Sequence, residues 1–301
     1  CRRKLIFINS FPLVSHPDPY MKSTKHPFRG SLLFARSLPI MLACMMAVFD
    51  APEASAEVVD TELLLLVDVG SGGLKKGEFA SLMDNYANSF SSSQVLDSIQ
   101  SGARGQIAIS LIYFGGNQTQ AVGIPWMTIG SAAEGLAFAD ALRALVEPAS
   151  GSFSYSDALA LGTRSFGSET GNAANGYESA VQIIQVAAAT KPSGSSTNLQ
   201  TATDTALASG IDMISATTVG NKAASLEAYY AANVVGGSVG SQTGSVTTSP
   251  IDPTLSNALT AGLTSDIQAS AGASAVPEPS SAVLFISTVG FLTILRRNRR
   301  P

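Results

Sequence analysis

Leu63-Leu64-Leu65-Leu66-Val67 is an unbroken apolar run, closed by Asp68-Val69 and the small residues Gly70-Ser71-Gly72-Gly73. Successive side chains of a strand point to opposite faces, so a run with no polar alternation has to be covered on both sides. Its shortness and its glycine-rich end predict a buried central strand followed by a tight loop. A chain containing such a strand needs helices on both faces of its sheet.

The segments that follow supply those helices. Phe79, Leu82, Met83, Tyr86 and Phe90 recur at three- and four-residue spacing, which places them on one helical face. Residues 107–114 and 119–126, separated by Gly115-Gly116-Asn117-Gln118, read as a β-hairpin. Helical periodicity resumes over 131–146 and 156–166. A buried strand is expected at 181–187, a helix at 198–208, a strand at 211–217 and a helix at 226–232. The Gly/Ser/Thr-rich stretch 236–249 reads as a loop or edge strand, and 252–270 as a last helix. The expected class is α/β: a three-layer, doubly wound, mostly parallel sheet of Rossmann type, occupying 57–270.

Both ends have the composition of targeting segments. Lys22, Lys25, Arg29 and Arg36 precede the apolar run Leu38 to Phe49, and Ala54-Ser55-Ala56 follows. A basic, apolar, then small-residue order matches a secretory signal, with cleavage expected between Ala56 and Glu57, so that 1–56 is N-terminal extension and signal peptide. After a linker over 271–279 that carries Pro277-Glu278-Pro279, residues 280–301 are expected to form a C-terminal transmembrane helix, containing the apolar stretch Ala282 to Leu295, and a basic tail. Arg296, Arg297, Arg299 and Arg300 form a basic cluster that would stay cytoplasmic and leave the domain outside. Proline-glutamate-proline, one short span and an arginine cluster together resemble the PEP-CTERM sorting signal of Gram-negative bacteria. That resemblance implies an exosortase-type processing enzyme as a partner, and sorting to the envelope or extracellular matrix.

Charge and residue content narrow the chemistry. Residues 57–276 hold seven Lys and Arg against 18 Asp and Glu, a net charge of −11. Nucleic-acid affinity depends on Lys and Arg neutralising phosphates, so nucleic acid is not an expected partner. Both histidines, His16 and His26, and both cysteines, Cys1 and Cys44, lie upstream of Glu57. The region beyond Glu57 therefore has no Ser/His or Cys/His nucleophile pair, no thiol redox chemistry, no His/Cys zinc site and no internal disulfide. Carboxylate chemistry and hard-cation binding remain. Asp157, Glu169 and Glu178 show no spacing that pairs them for glycoside hydrolysis, and no enzyme is expected.

Val67-Asp68-Val69-Gly70-Ser71-Gly72, Glu78-Phe79, Gly105-Gln106-Ile107-Ala108, Ile124-Pro125-Trp126, Asp157-Ala158-Leu159 and Leu226 to Gly237 together resemble a von Willebrand factor type A domain. The similarity is closer to a bacterial subfamily of that fold whose function is not established. The resemblance implies Mg²⁺ held by Asp-x-Ser-x-Ser in the first loop, a Thr from a second and an Asp from a third. Here Asp68 is retained, Gly70 and Gly72 take the two Ser positions, Phe153 the Thr position and Ala189 the Asp position. Ser71 and Ser154 are one residue out of register. One carboxylate does not hold Mg²⁺ against its hydration shell, so the expected site is degenerate and the expected cofactor none. Asp68 is then expected to cap a loop or a helix N-terminus. Trp126 is expected to pack, and Tyr229 and Tyr230 to place one ring inward and one at the surface. The leading expectation is an exported binding or structural module that meets an envelope protein or polysaccharide; a Mg²⁺-dependent adhesion module is the alternative.

Overall fold

A computed structural model describes residues 55–271 except 71, 76, 116–120, 149–150, 152–153 and 193–195. The expected signal peptide, the Pro-Glu-Pro motif, the C-terminal apolar segment and the arginine cluster lie outside the described residues. No helix among those described is long and apolar enough to cross a membrane.

The Leu63 run lies in β2 (Thr61–Asp68), every residue of which is buried. It pairs in parallel with β3 (Ile107–Phe114) on one side and β6 (Gln182–Ala188) on the other. Beyond β3 lies β4 (Ala121–Ile129), antiparallel, and beyond β6 lies β7 (Met213–Val219), parallel. The main path is therefore β4-β3-β2-β6-β7. Strand alternation sends Leu63, Leu65 and Val67 to one face and Leu64 and Leu66 to the other. The first set packs with side chains of α1 (Glu78–Phe90), α2 (Ser93–Gln100), α3 (Ala132–Ala144) and α7 (Leu255–Ser270). The second packs with α4 (Tyr155–Ser165), α5 (Ser196–Ala208) and α6 (Ala223–Asn233). This is the expected three-layer α/β arrangement, with a mixed sheet.

Differences from the sequence expectations gather at the edges. The 236–249 stretch forms three short strands, β8 (Gly236–Val239), β9 (Gln242–Thr243) and β10 (Val246–Ser249). The edge of β7 is divided between two of them: Met213 and Ile214 pair with antiparallel β8, while Ala216 to Val219 pair with parallel β10. Strands β1 (Glu57–Val59) and β5 (Tyr177–Ser179) form a separate two-stranded ladder. Three-residue strands are too short for a period to show, and α2, with eight residues, is scarcely longer than two turns. The β3–β4 ladder shifts register beside Ser110, whose hydroxyl donates to the Ile124 carbonyl at 2.8 Å. Pro125 follows on this edge strand, where an amide N–H is dispensable.

Candidate functional site

Ligands of open α/β sheets bind outside the carboxyl ends of the strands, where the strand order reverses. Here the chain passes from β2 to β3 on one side and later enters β6 on the other, so the reversal falls between β2 and β6. Asp68 ends β2 and Thr190 lies just beyond β6; the register Val67 opposite Ala187 brings them together.

Asp68 is 1% exposed. One carboxylate oxygen accepts the Gly70 N–H at 2.7 Å and the other accepts the Thr190 hydroxyl at 3.3 Å. Burial pushes its pKa up to about 6, while the Gly70 N–H and Thr190 hydroxyl favour the charged form. Thr190 is fixed in turn by the Tyr230 hydroxyl, which donates to its carbonyl at 2.7 Å. Lys191 follows, its ammonium 4.7 Å from the centre of the Tyr229 ring. Tyr230 is fully buried and Tyr229 half-buried, as the sequence suggested.

Gly115, at the end of β3, closes over this loop with φ of +88°. A Cβ at Gly115 would lie 2.6 Å from the Gly70 Cα and 3.1 Å from an Asp68 carboxylate oxygen. Gly115→Ala should therefore cost several kcal/mol, about 1 from the left-handed backbone and the rest from displacing the Asp68 loop. A lowered urea midpoint, with the unfolding slope unchanged, would show it.

The other residues expected near a metal do different work or are not described. Ser154 caps α4, accepting the Asp157 N–H at 3.2 Å on its hydroxyl. Ser71 and Phe153 lie outside the described residues. Ala189 is buried. A Mg²⁺ ion needs close to six oxygens in octahedral array. Among the described residues no group of three or more His, Cys, Asp or Glu could hold a metal. Asp68 is sealed beneath backbone with both oxygens engaged, so as placed it is not open to a Mg²⁺ ion. The carboxylate instead ties the first loop to the chain leaving β6, close to the loop-capping role expected of it.

Thr190, which bonds Asp68, and the Tyr230 hydroxyl that fixes Thr190 are contacts of this loop that the sequence did not reveal. Counting on from Val186, aligned beside the first strand, leads to Thr190, one residue past Ala189. Trp126 packs, with its indole N–H donating to the Ser165 carbonyl at 2.9 Å and its ring against Phe166 and Tyr177.

At the opposite end of the sheet the structure brings together Glu169 and Glu178, which their spacing in the sequence did not pair. The Ser168 hydroxyl lies within hydrogen-bond distance of both, at 3.3 and 3.2 Å. Glu169 also adjoins Glu62, a fully buried carboxyl that accepts from the Asn175 amide and, at 2.9 Å, from the Ser179 hydroxyl. Burial first, then the like charge of Glu169, raise Glu62 well above the usual carboxylate range, against the pull of Asn175 and Ser179. The fully buried Glu62 is a structural carboxyl that ties β2 to the segment before β6.

Solved structures with a similar chain path include proximal thread matrix protein 1 from the mussel byssus, at 14% identity over 71% of this chain and 48% of that one, with a TM-score of 0.47. The pilus adhesin SpaC from Lactobacillus rhamnosus GG gives 13% identity over 71% of this chain and 31% of that one, with a TM-score of 0.47. A von Willebrand factor type A protein from Catenulispora acidiphila gives 13%, 72%, 43% and 0.43 for the same quantities. The chain spans less than half the length of each. Among curated proteins, none matches it in sequence. Residues 58–242 match the family described as Protein of unknown function (DUF1194), and the chain belongs to that family.

Proposed function

We propose that this protein is an exported, metal-independent binding or structural module of the bacterial envelope or extracellular matrix. It is not an enzyme in this reading, and it meets its protein or polysaccharide partner through the loops at the strand ends. The observation that carries the proposal is the closed state of the strand-end site: Asp68 is spent on Gly70 and Thr190, beneath Gly115. A carboxylate in that position organises the loops from inside and needs no ion to do so. Among the described residues, Lys191 and Tyr229 lie on the rim beside it, placed to face a partner.

Export rests on the basic, apolar and small-residue order before Glu57 and on the Pro277-Glu278-Pro279, apolar and arginine order at the other end. An exosortase-type enzyme would act on the second of these, and the apolar segment would hold the chain in the membrane until then. The net charge of −11 over 57–276 keeps nucleic acid outside the proposal. Mg²⁺-dependent adhesion through a rearranged first loop, with Ser71 and Ser154 as added ligands, is the competing reading.

Retention of envelope polysaccharide and envelope protein on the immobilised chain, in Mg²⁺ and again in EDTA, tests both. Equal retention in the two buffers is expected, with Asp68→Ala losing it only so far as the variant loses stability. Retention that needs Mg²⁺ and vanishes in a folded Asp68→Ala variant would establish the competing reading. No retention of any fraction would end the binding-module proposal.

A further inference from the structure

Helix α7 is seated by an apolar stripe, Leu255, Leu259, Leu263 and Ile267, all buried. Hydroxyl contacts reinforce its ends: Ser89 donates to the Ser256 carbonyl at 3.0 Å, and Thr61 donates to Ser270. One residue on its buried side breaks the pattern. Asp266 is 1% exposed, one carboxylate oxygen accepts the Ser215 hydroxyl of β7 at 3.1 Å, and the other has no partner. The Thr217 hydroxyl on the same strand is also buried, beside Tyr86.

Among the described residues no cation pairs with this carboxyl. The ion pairs among the described residues involve Lys75 and Arg143, neither with Asp266. Among the described residues, helix α1 presents the ionisable Tyr86 to it, whose hydroxyl donates to Gln185 of β6 at 3.4 Å. From α2 the buried polar residue is Ser98, while Asp97 is exposed. β7 offers Ser215 and Thr217, and β9 and β10 contain no ionisable residue. A negative charge here would sit in an apolar interior with one neutral hydroxyl to solvate it, which is far costlier than a neutral carboxyl.

We propose that α7 is a proton-dependent latch, seated on the sheet while Asp266 carries its proton and released from it as Asp266 ionises. Release bares the apolar residues of α1 and α2 that α7 covers, so the surface the domain offers changes with the acidity of its surroundings. Burial is the main cause that pushes Asp266 up to about 7, with the Ser215 hydroxyl acting in the opposite direction. Because the seated state has the raised pKa, seating is strongest below the ordinary carboxylate pKa. It weakens as pH rises toward about 7 and levels off above that.

Hydrogen exchange of the α7 amides in the whole chain, corrected for the intrinsic dependence of exchange on pH and compared with β2 amides in the same sample, reads this directly. The opening equilibrium of α7 should grow roughly a hundredfold between about pH 5 and about pH 8, and the Asp266→Asn chain should show a flat profile. If Asp266→Asn does not fold, Asp266→Leu, similar in volume and without charge, should be flat in its place. Wild-type α7 protection that does not change with pH would overturn the proposal. So would a neutral variant that keeps the wild-type profile.

Discussion

Raising the pH from about 4 to about 8 is expected to destabilise this domain, the reverse of ordinary acid denaturation. Three carboxyls, Glu62, Asp68 and Asp266, are buried and have pKa values raised chiefly by desolvation. A carboxyl whose folded pKa exceeds its unfolded one binds its proton more tightly in the fold. Its contribution is fully present below the unfolded pKa and is lost as pH rises to the folded value. Asp68 near 6 and Asp266 near 7, against an ordinary value of 3.8, correspond to roughly 3 to 4 kcal/mol each at about 1.4 kcal/mol per unit. Glu62 acts in the same direction. Glu134 and Asp252, held low by hydrogen bonds at the surface, act the other way, but solvent screening keeps their share small. Urea midpoints followed through Trp126, the one tryptophan of the chain, should fall steadily over this range. Glu62→Gln should flatten the profile, since the amide keeps an acceptor for Asn175 or Ser179 and has no charge to bury. A midpoint that climbs with pH would show that these carboxyls are ionised in the fold.

The second large effect concerns the central strand. Leu64 and Leu65 are adjacent in sequence and both fully buried, yet they belong to different cores, one beneath α4, α5 and α6 and the other beneath α1, α3 and α7. Truncating either to alanine should cost about 2–5 kcal/mol, because the removed methyl groups leave a cavity that the sheet cannot collapse to fill. Since their packing partners do not overlap, the two losses should add to within about 0.5 kcal/mol in the double variant. A domain of ordinary stability, about 5–15 kcal/mol, would then be near or past its unfolding threshold. Strong non-additivity in urea unfolding would show that the two faces of β2 are coupled through the strand itself.

The elements that were legible from sequence are those whose periodicity spans many residues. The Leu63 run, the three- and four-residue spacing in α1 and the 107–114 strand each carry their environment in the order of their side chains. The short elements β1, β5 and α2 carry too few residues to show a period, and β8 and β10 exist because two fragments divide the exposed edge of β7. The site was legible in half. Asp68 could be placed at a strand end and its Gly70 neighbour read as an absent ligand. Its partner Thr190 is 122 residues away, and no local pattern marks it.

By itself, then, the sequence determined a doubly wound α/β domain around one strand covered on both faces, because an apolar run without alternation admits little else. It also determined which chemistries were closed to that domain, since residues 57–276 contain no histidine or cysteine. Only the tertiary structure decided that Asp68 is sealed under Gly115, that Glu62 and Glu169 adjoin, and that Asp266 lies uncompensated beneath α7. The physical reason is that desolvation and like-charge proximity depend on which distant segments cover a carboxyl, and those segments are brought together by the packing of the sheet rather than by neighbours in the chain.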